Sequence, residues 1–217
     1  MRMTGSQRRE QLLDVGRAVF AERGFDGASI EDIAARAGVS KPVVYEHFGG
    51  KEGIYAVVVD REIASLLDAV LTSLDARHPR ALLEQGVLGL LRYIQANTDG
   101  FRILARDSPV PSVGGNFASL LSDVVGRLEP ILAKMFTESG YDPKLAPVYA
   151  QALVGMVAST GLWWLDARRP RLEVVAAHLV NLAWNGLASL DRDPRLRISG
   201  PGTHSRRPPG VDRRRQR

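Results

Sequence analysis

The stretch Ile30-Glu-Asp-Ile-Ala-Ala-Arg-Ala-Gly-Val-Ser-Lys-Pro-Val-Val-Tyr-Glu-His-Phe-Gly-Gly-Lys51 decides the fold of this chain. Ile33, Ala37, Val39 and Val44 are its internal apolar positions, and Gly38 stands between two short helical patterns. The small Ala34 lets the two helices cross closely, Gly38 supplies the turn, and the four apolar residues form a shared core. That is the spacing of a helix-turn-helix unit. Ser29 is placed to cap the first helix, with Asp32 in its first turn. Ser40 is placed to cap the second, with Pro42 where a missing N–H is harmless.

Working outward, Leu12, Val15, Gly16, Val19 and Phe20 recur at three- and four-residue steps, so a helix is predicted over 8–23 with Gly24 as its stop. On the other side Gly49-Gly50 breaks the pattern and Lys51 opens a long helix to about residue 77, ended by His78-Pro79. Further helices are predicted over 80–97, 100–107, 114–139, 144–168 and 172–190, separated by Pro109 and Pro111, by Gly140 to Pro143, and by Arg169-Pro170. No alternating run marks a strand. The expected fold is all-α with about nine helices. Residues 1–50 form the helix-turn-helix domain, 51–191 form a helical ligand-binding and dimerisation domain, and 192–217 form a basic disordered tail.

The charge needs the same division. The chain carries +5 overall, but residues 192–217 hold nine arginines against Asp193 and Asp212, which leaves 20 basic and 22 acidic groups elsewhere. The basic balance therefore belongs to the tail, and affinity for nucleic acid has to rest on the local motif. The absence of cysteine excludes disulfides, a thiolate nucleophile and thiolate metal sites, and it fits a reducing compartment. The first ten residues carry no apolar signal core, so a cytoplasmic protein is expected.

In a helix-turn-helix unit the second helix enters the major groove and its early residues read base edges, while the first helix and the flanks hold phosphates. Ser29, Ser40, Lys41, Val43, Tyr45 and His47 are the candidate DNA-binding residues, and Lys51 lies where a flanking phosphate would be met. For Tyr45 and His47 the plainer alternative is packing within the three-helix domain.

The chain resembles the TetR family of transcriptional regulators. The resemblance runs through Gly24-Phe-Asp-Gly-Ala-Ser-Ile30, Ile33-Ala-Ala-Arg-Ala-Gly-Val-Ser40, Val44-Tyr-Glu-His-Phe48 and Lys51-Glu52. It implies a regulator, more often a repressor, that binds a near-palindromic operator as a homodimer and answers to a small molecule in its carboxy-terminal domain. By the same resemblance Tyr45 is a phosphate contact, Lys41 a base-reading position, His47 a backbone contact and Lys51 the lysine opening the linking helix. Pro42-Val43 departs from the Gly-Thr of many members, and Val43 offers at most a methyl contact to thymine.

Segments Gly100-Phe-Arg-Ile-Leu104, Leu153-Val-Gly-Met156, Trp164-Leu-Asp-Ala167 and Ala183-Trp-Asn-Gly-Leu187 resemble those of TetR-type regulators of fatty-acid synthesis that respond to long-chain acyl-CoA. An acyl chain or other lipid-like effector would then lie among Leu90, Tyr93, Ile94, Phe101, Leu104, Phe117, Leu121 and Trp163, with Arg102 or Arg106 at an anionic head. The alternative for these side chains is ordinary core, and the alternatives for the chain's function are a non-catalytic lipid-binding helical protein or a single-span membrane-associated one using 145–165.

Leu145 to Leu165 is a 21-residue run without formal charge, long enough to span a bilayer. Pro147, Gln151, Ser159 and Thr160 lower its apolarity, and a helix with one face in its own core and another against a partner fits the same composition. No membrane is expected. A homodimer through the last two helices is, with Ala152, Gly155, Ser159, Leu179, Leu182 and Gly186 as contact residues. No cofactor, metal or enzymatic activity is expected: Asp99, Asp107, Asp166 and Glu173 share no ligand spacing, and no phosphate-binding glycine loop or Gly-x-Ser-x-Gly turn is present.

Overall fold

The computed structural model describes residues 3–72, 78–106, 117–191 and 194. The 192–217 tail, except Pro194, and the Pro109/Pro111 and Gly114-Gly115 connections lie outside them. Among the described residues the fold is all-α, with nine α-helices and no strand: α1 Gly5–Gly27, α2 Ile30–Ala37, α3 Lys41–Phe48, α4 Lys51–Leu71, α5 Pro79–Ala96, α6 Thr98–Ala105, α7 Phe117–Ser139, α8 Ala146–Ala167 and α9 Leu172–Ala188.

Helix α1 begins a few residues earlier than its apolar pattern. Thr4 and Gln7 form a capping box, each side chain bonding the other's backbone N–H, which satisfies amides the helix start would leave unpaired. At the other end Gly24 adopts φ 71°, which breaks helical geometry before the last turn reaches Gly27. Between them Leu12, Leu13, Val19 and Phe20 are buried. Phe20 meets the Tyr55 ring edge-on at 4.9 Å, so α1 and α4 are locked at the amino-terminal end of α4.

The first half of α4 completes the core of α1–α3. Ile54 is fully buried, and a Cβ placed on Gly16 would stand 3.0 Å from Ile54 Cδ1, so glycine lets the two helices approach. The second half of α4 runs on into a carboxy-terminal bundle in which α7 packs on α8 and α5 packs on α4, α8 and α9. Helix α6 is wedged between α1 and α4. Arg106 follows it and donates to the Phe20 carbonyl at 3.2 Å, tying the two halves of the molecule together.

Helix α8, with its short 3-10 turn Pro143–Leu145, is long and apolar enough to cross a membrane by length and composition. In the fold Ala146, Ala150, Ala158, Gly161, Trp164 and Leu165 are buried, while Val148, Ala152, Gly155, Ser159 and Trp163 are exposed. Trp164 is fixed by its indole N–H, which donates to the Pro170 carbonyl at 2.8 Å.

Candidate nucleic-acid interface and ligand cavity

Helices α2 and α3 cross as their spacing predicts. Ile33, Ala34, Ala37 and Val44 are buried together, and Gly38 takes the left-handed conformation at φ 66°. Its N–H is donated back to Ala34 and Ala35 carbonyls, so the turn also caps α2. The start of α2 is capped by the Ser29 hydroxyl, which accepts from the Asp32 N–H at 3.1 Å and donates to Asp32 Oδ2 at 2.8 Å. The hydrogen bond from Ser29, together with the Arg23 guanidinium at 2.6 Å, holds the Asp32 carboxyl below its ordinary range. Ser29 is thus half-buried and committed to the fold of the motif.

Ser40 occupies the N-cap position of α3, yet its side chain makes no capping bond, contrary to the sequence expectation. Its hydroxyl is exposed beside Lys41 and Pro42. Tyr45 is 52% exposed and projects from the same short helix. Val43 and His47 are not free outward positions as expected: Val43 is half-buried and packs on the core, and His47 is half-buried with its ring tilted against Phe48. The His47 carbonyl accepts from Arg9 Nη1 at 2.6 Å, and the Arg9 guanidinium lies 4.3 Å above the Phe48 ring, which anchors the end of α3 to α1.

Residues 1–50 hold seven basic and seven acidic side chains, so the exposed face works by placement rather than by net charge. Several acids are tied down by arginine. Glu22 makes a two-pronged pair with Arg36, whose hydrogen bonds push the Glu22 carboxyl down and the guanidinium up. Lys41 pairs with Glu31, lowering the Glu31 carboxyl, so the candidate base-reading ammonium is held on the α2–α3 surface in the free protein. Lys51 is half-buried: its ammonium donates to the Phe25 carbonyl at 3.1 Å and the Ala28 carbonyl at 3.3 Å, and sits 4.3 Å above the Phe25 ring. Two of its three donors are therefore spent on closing the turn after α1.

The carboxy-terminal domain holds a partly open cavity of about 260 Å³. Its walls are α4 (Leu66, Leu67, Val70, Leu71), α5 from Pro79 to Leu90, α7 from Phe117 to Met135, α8 (Leu153, Val154, Val157, Ala158) and α9 (Trp184, Leu187). Of the sequence candidates, Leu90, Phe117 and Leu121 lie on this wall. The other five do not. Tyr93, Ile94, Phe101 and Leu104 are buried in the core shared with α4 and α6, where Phe101 meets Phe117 edge-on at 5.8 Å. Trp163 is 55% exposed on the outer side of α8, in step with Ala152, Gly155 and Ser159. Trp184, overlooked in the pattern, lines the cavity instead.

Neither expected head-group arginine reaches the cavity. Arg102 is directed to Asp166 at 3.4 Å, and Arg106 to the Phe20 carbonyl. Among the described residues the charged side chain that lines it is Arg127. Deeper in the same domain Glu62 is buried at 5% exposure, its Oε2 accepting from the Tyr93 hydroxyl at 2.8 Å and its Oε1 lying 3.6 Å from Arg17 of α1. Burial and the neighbouring Glu62 charge push the Tyr93 hydroxyl up from its ordinary value, which favours its role as donor.

The outer sides of α8 and α9 carry the remaining candidates. Ala152, Gly155 and Ser159 are exposed, as are Leu182 at 64% and Gly186. A Cβ on Gly155 or Gly186 would meet nothing within 4 Å, so both glycines open onto free space. Leu179 is different: it is buried, because the turn of α9 that carries it faces the core rather than the outside. Among the described residues no group of acidic or histidine side chains could hold a metal ion.

The profile of "Bacterial regulatory proteins, tetR family" matches residues 12–58, and that of "Tetracyclin repressor-like, C-terminal domain" matches residues 79–186. The HTH-type transcriptional activator FasR of Mycolicibacterium smegmatis is 29% identical over 191 residues, 86% of each chain. The HTH-type transcriptional repressor KstR2 of Rhodococcus jostii is 27% identical over 200 residues, covering 85% of this chain and 93% of its own. Among solved structures, a TetR-like transcriptional regulator from Rhodococcus sp. RHA1 superposes with a TM-score of 0.68 at 26% identity, over 87% of this chain and all of that one. The two profiles meet the α1–α4 motif and the α5–α9 bundle in turn, and the chain belongs to the TetR family as a transcriptional regulator with a DNA-binding helix-turn-helix.

Proposed function

We propose that the protein is a ligand-responsive repressor that binds a near-palindromic operator as a homodimer in the cytoplasm. Its domains are the helix-turn-helix unit of residues 1–50, the effector and dimer domain of 51–191, and a basic tail. A hydrophobic effector, a long-chain acyl-CoA or other lipid-like molecule, occupies the cavity and modulates DNA affinity. The observation that carries this reading is the shared helix. α4 starts at the helix-turn-helix and also supplies Leu66, Leu67, Val70 and Leu71 to the cavity wall, so the cavity and the recognition helix are connected through one element. An effector that prefers the conformer with wrongly spaced recognition helices weakens operator binding by the same coupling energy with which operator opposes effector. Repression needs only occupancy of the operator, with no further surface for polymerase.

Selection from random duplexes followed by footprinting tests the reading. Two symmetric half-sites about 34 Å apart are expected. A single asymmetric site would overturn the dimeric operator, and increased transcription from a promoter carrying the site would make the protein an activator. Within each half-site, Lys41→Ala is expected to relax the preference at one base pair by about 1–3 kcal/mol. A uniform loss at every position, read by competition with single-base operator variants, would make Lys41 a backbone contact.

The dimer is proposed to form through the open sides of α8 and α9. Leu182→Glu replaces an exposed apolar side chain of that surface with a charge, and it is expected to convert a dimer to a 23.7 kDa monomer in sedimentation and to abolish the symmetric footprint. An unchanged dimer mass would move the interface elsewhere.

A further inference from the structure

We propose that Arg127 reads the charge of the effector, so that the cavity selects an amphiphile with an apolar body and one anionic group. This rests on the cavity being the effector site. Along α7 the cavity-lining positions 120, 121, 124, 127, 128 and 131 form one helical stripe, and every one of them is apolar except Arg127. It is also the one ionisable side chain on the wall among the described residues. An arginine at a stripe position that packing would fill with leucine puts a fixed positive charge at the solvent edge of an otherwise apolar volume, since the residue is exposed.

Among the described residues this charge is unspent. Arg80, Arg102 and Lys134 nearby in the bundle are paired with Glu84, Asp166 and Glu138, whereas Arg127 has no ion pair or hydrogen bond among the described residues, although Asp123 lies one turn before it. A planar guanidinium offers paired donors that match a carboxylate or a phosphate. A neutral ligand gains nothing from it. An anionic one gains a charge-assisted contact while its chain fills the cavity.

Calorimetric titration of the full chain with decanoate, decanoyl-CoA and decanol separates the possibilities. At least one anionic probe is expected to bind about tenfold tighter than decanol, with the difference shrinking as salt is added. Decanoate alone would identify a carboxylate as the recognised anion, and decanoyl-CoA alone a phosphate; either supports the proposal. In Arg127→Gln the preference for the anionic probe over decanol should vanish, and in Arg127→Lys it should largely persist. Equal binding of all three probes by the unmodified protein would overturn the role of Arg127 while leaving the cavity as an effector site. Loss of decanol binding in both variants would mean that Arg127 holds the wall in shape rather than reading charge, and would overturn the proposal too. Failure of every probe to bind would sink both this inference and the effector reading on which it rests.

Discussion

Gly53→Ala is expected to abolish operator binding and to cost the fold about 2–4 kcal/mol. Gly49 and Gly50 both take positive φ, 74° and 148°, and this reversal folds the start of α4 back over the end of α3. The return is so tight that a Cβ on Gly53 would stand 1.9 Å from the Phe48 carbonyl oxygen and 3.1 Å from its carbon. Those are backbone atoms and cannot swing aside as a side-chain tip can. Accommodation requires α3 to move relative to α4, and α3 is the helix that carries Lys41 and Tyr45. Urea denaturation and operator titration should therefore fail together. Gly126→Ala is the matched control: it also adds a methyl inside a helix, but nothing lies within 4 Å, so stability should be unchanged or rise by about 0.5–1 kcal/mol. A Gly53→Ala protein that kept full operator affinity would show that the α3–α4 junction does not set the position of the recognition helix.

The helices were legible because each is announced by local chemistry. Ser29, Gly38 and Gly24 act on their immediate neighbours, and periodicity needs only the chain itself. The helix-turn-helix core was legible for the same reason: Ile33, Ala37 and Val44 meet within one short motif. The cavity was less so. Choosing between Trp163, Trp164 and Trp184 means knowing the rotation of α8 and α9 about their axes, and an α8 that is apolar on nearly every side gives no moment from which to read it. Tyr93, Phe101 and Leu104 share the cavity's composition, but α5 and α6 turn them into the core with α1 and α4, elements far away in sequence. Arg127 hid among 25 arginines; only the packing of α7 singles it out. Lys51 shows a subtler gap. Its position at the head of α4 was readable, but the Phe25 and Ala28 carbonyls that hold its ammonium belong to the last turn of α1 and its C-cap.

Gly100→Ala tests the buried polar junction where the DNA-binding and effector domains meet, and its expected cost is about 3–5 kcal/mol. Glu62 of α4 reaches toward α6, where a Cβ on Gly100 would fall 1.8 Å from Oε2 and 2.5 Å from Cδ. A flexible carboxylate would ordinarily yield. This one is buried, bonded to the Tyr93 hydroxyl on α5 and facing Arg17 on α1, so displacement leaves a buried charge without its donor. The test has an internal control. In the Glu62→Ala background the obstructing atoms are gone, and adding Gly100→Ala should then cost less than about 1 kcal/mol, a coupling that independent sites do not show. Additive losses would mean that α6 is held away from α4 by something other than Glu62. The pH dependence gives a second reading. Because Tyr93 titrates higher in the fold than its ordinary value of 10.0, the stability it contributes is full below pH 10 and falls as the pH rises past that value. Tyr93→Phe should flatten the alkaline limb of the stability curve, and a limb that stayed equally steep would assign the titration to another tyrosine or lysine.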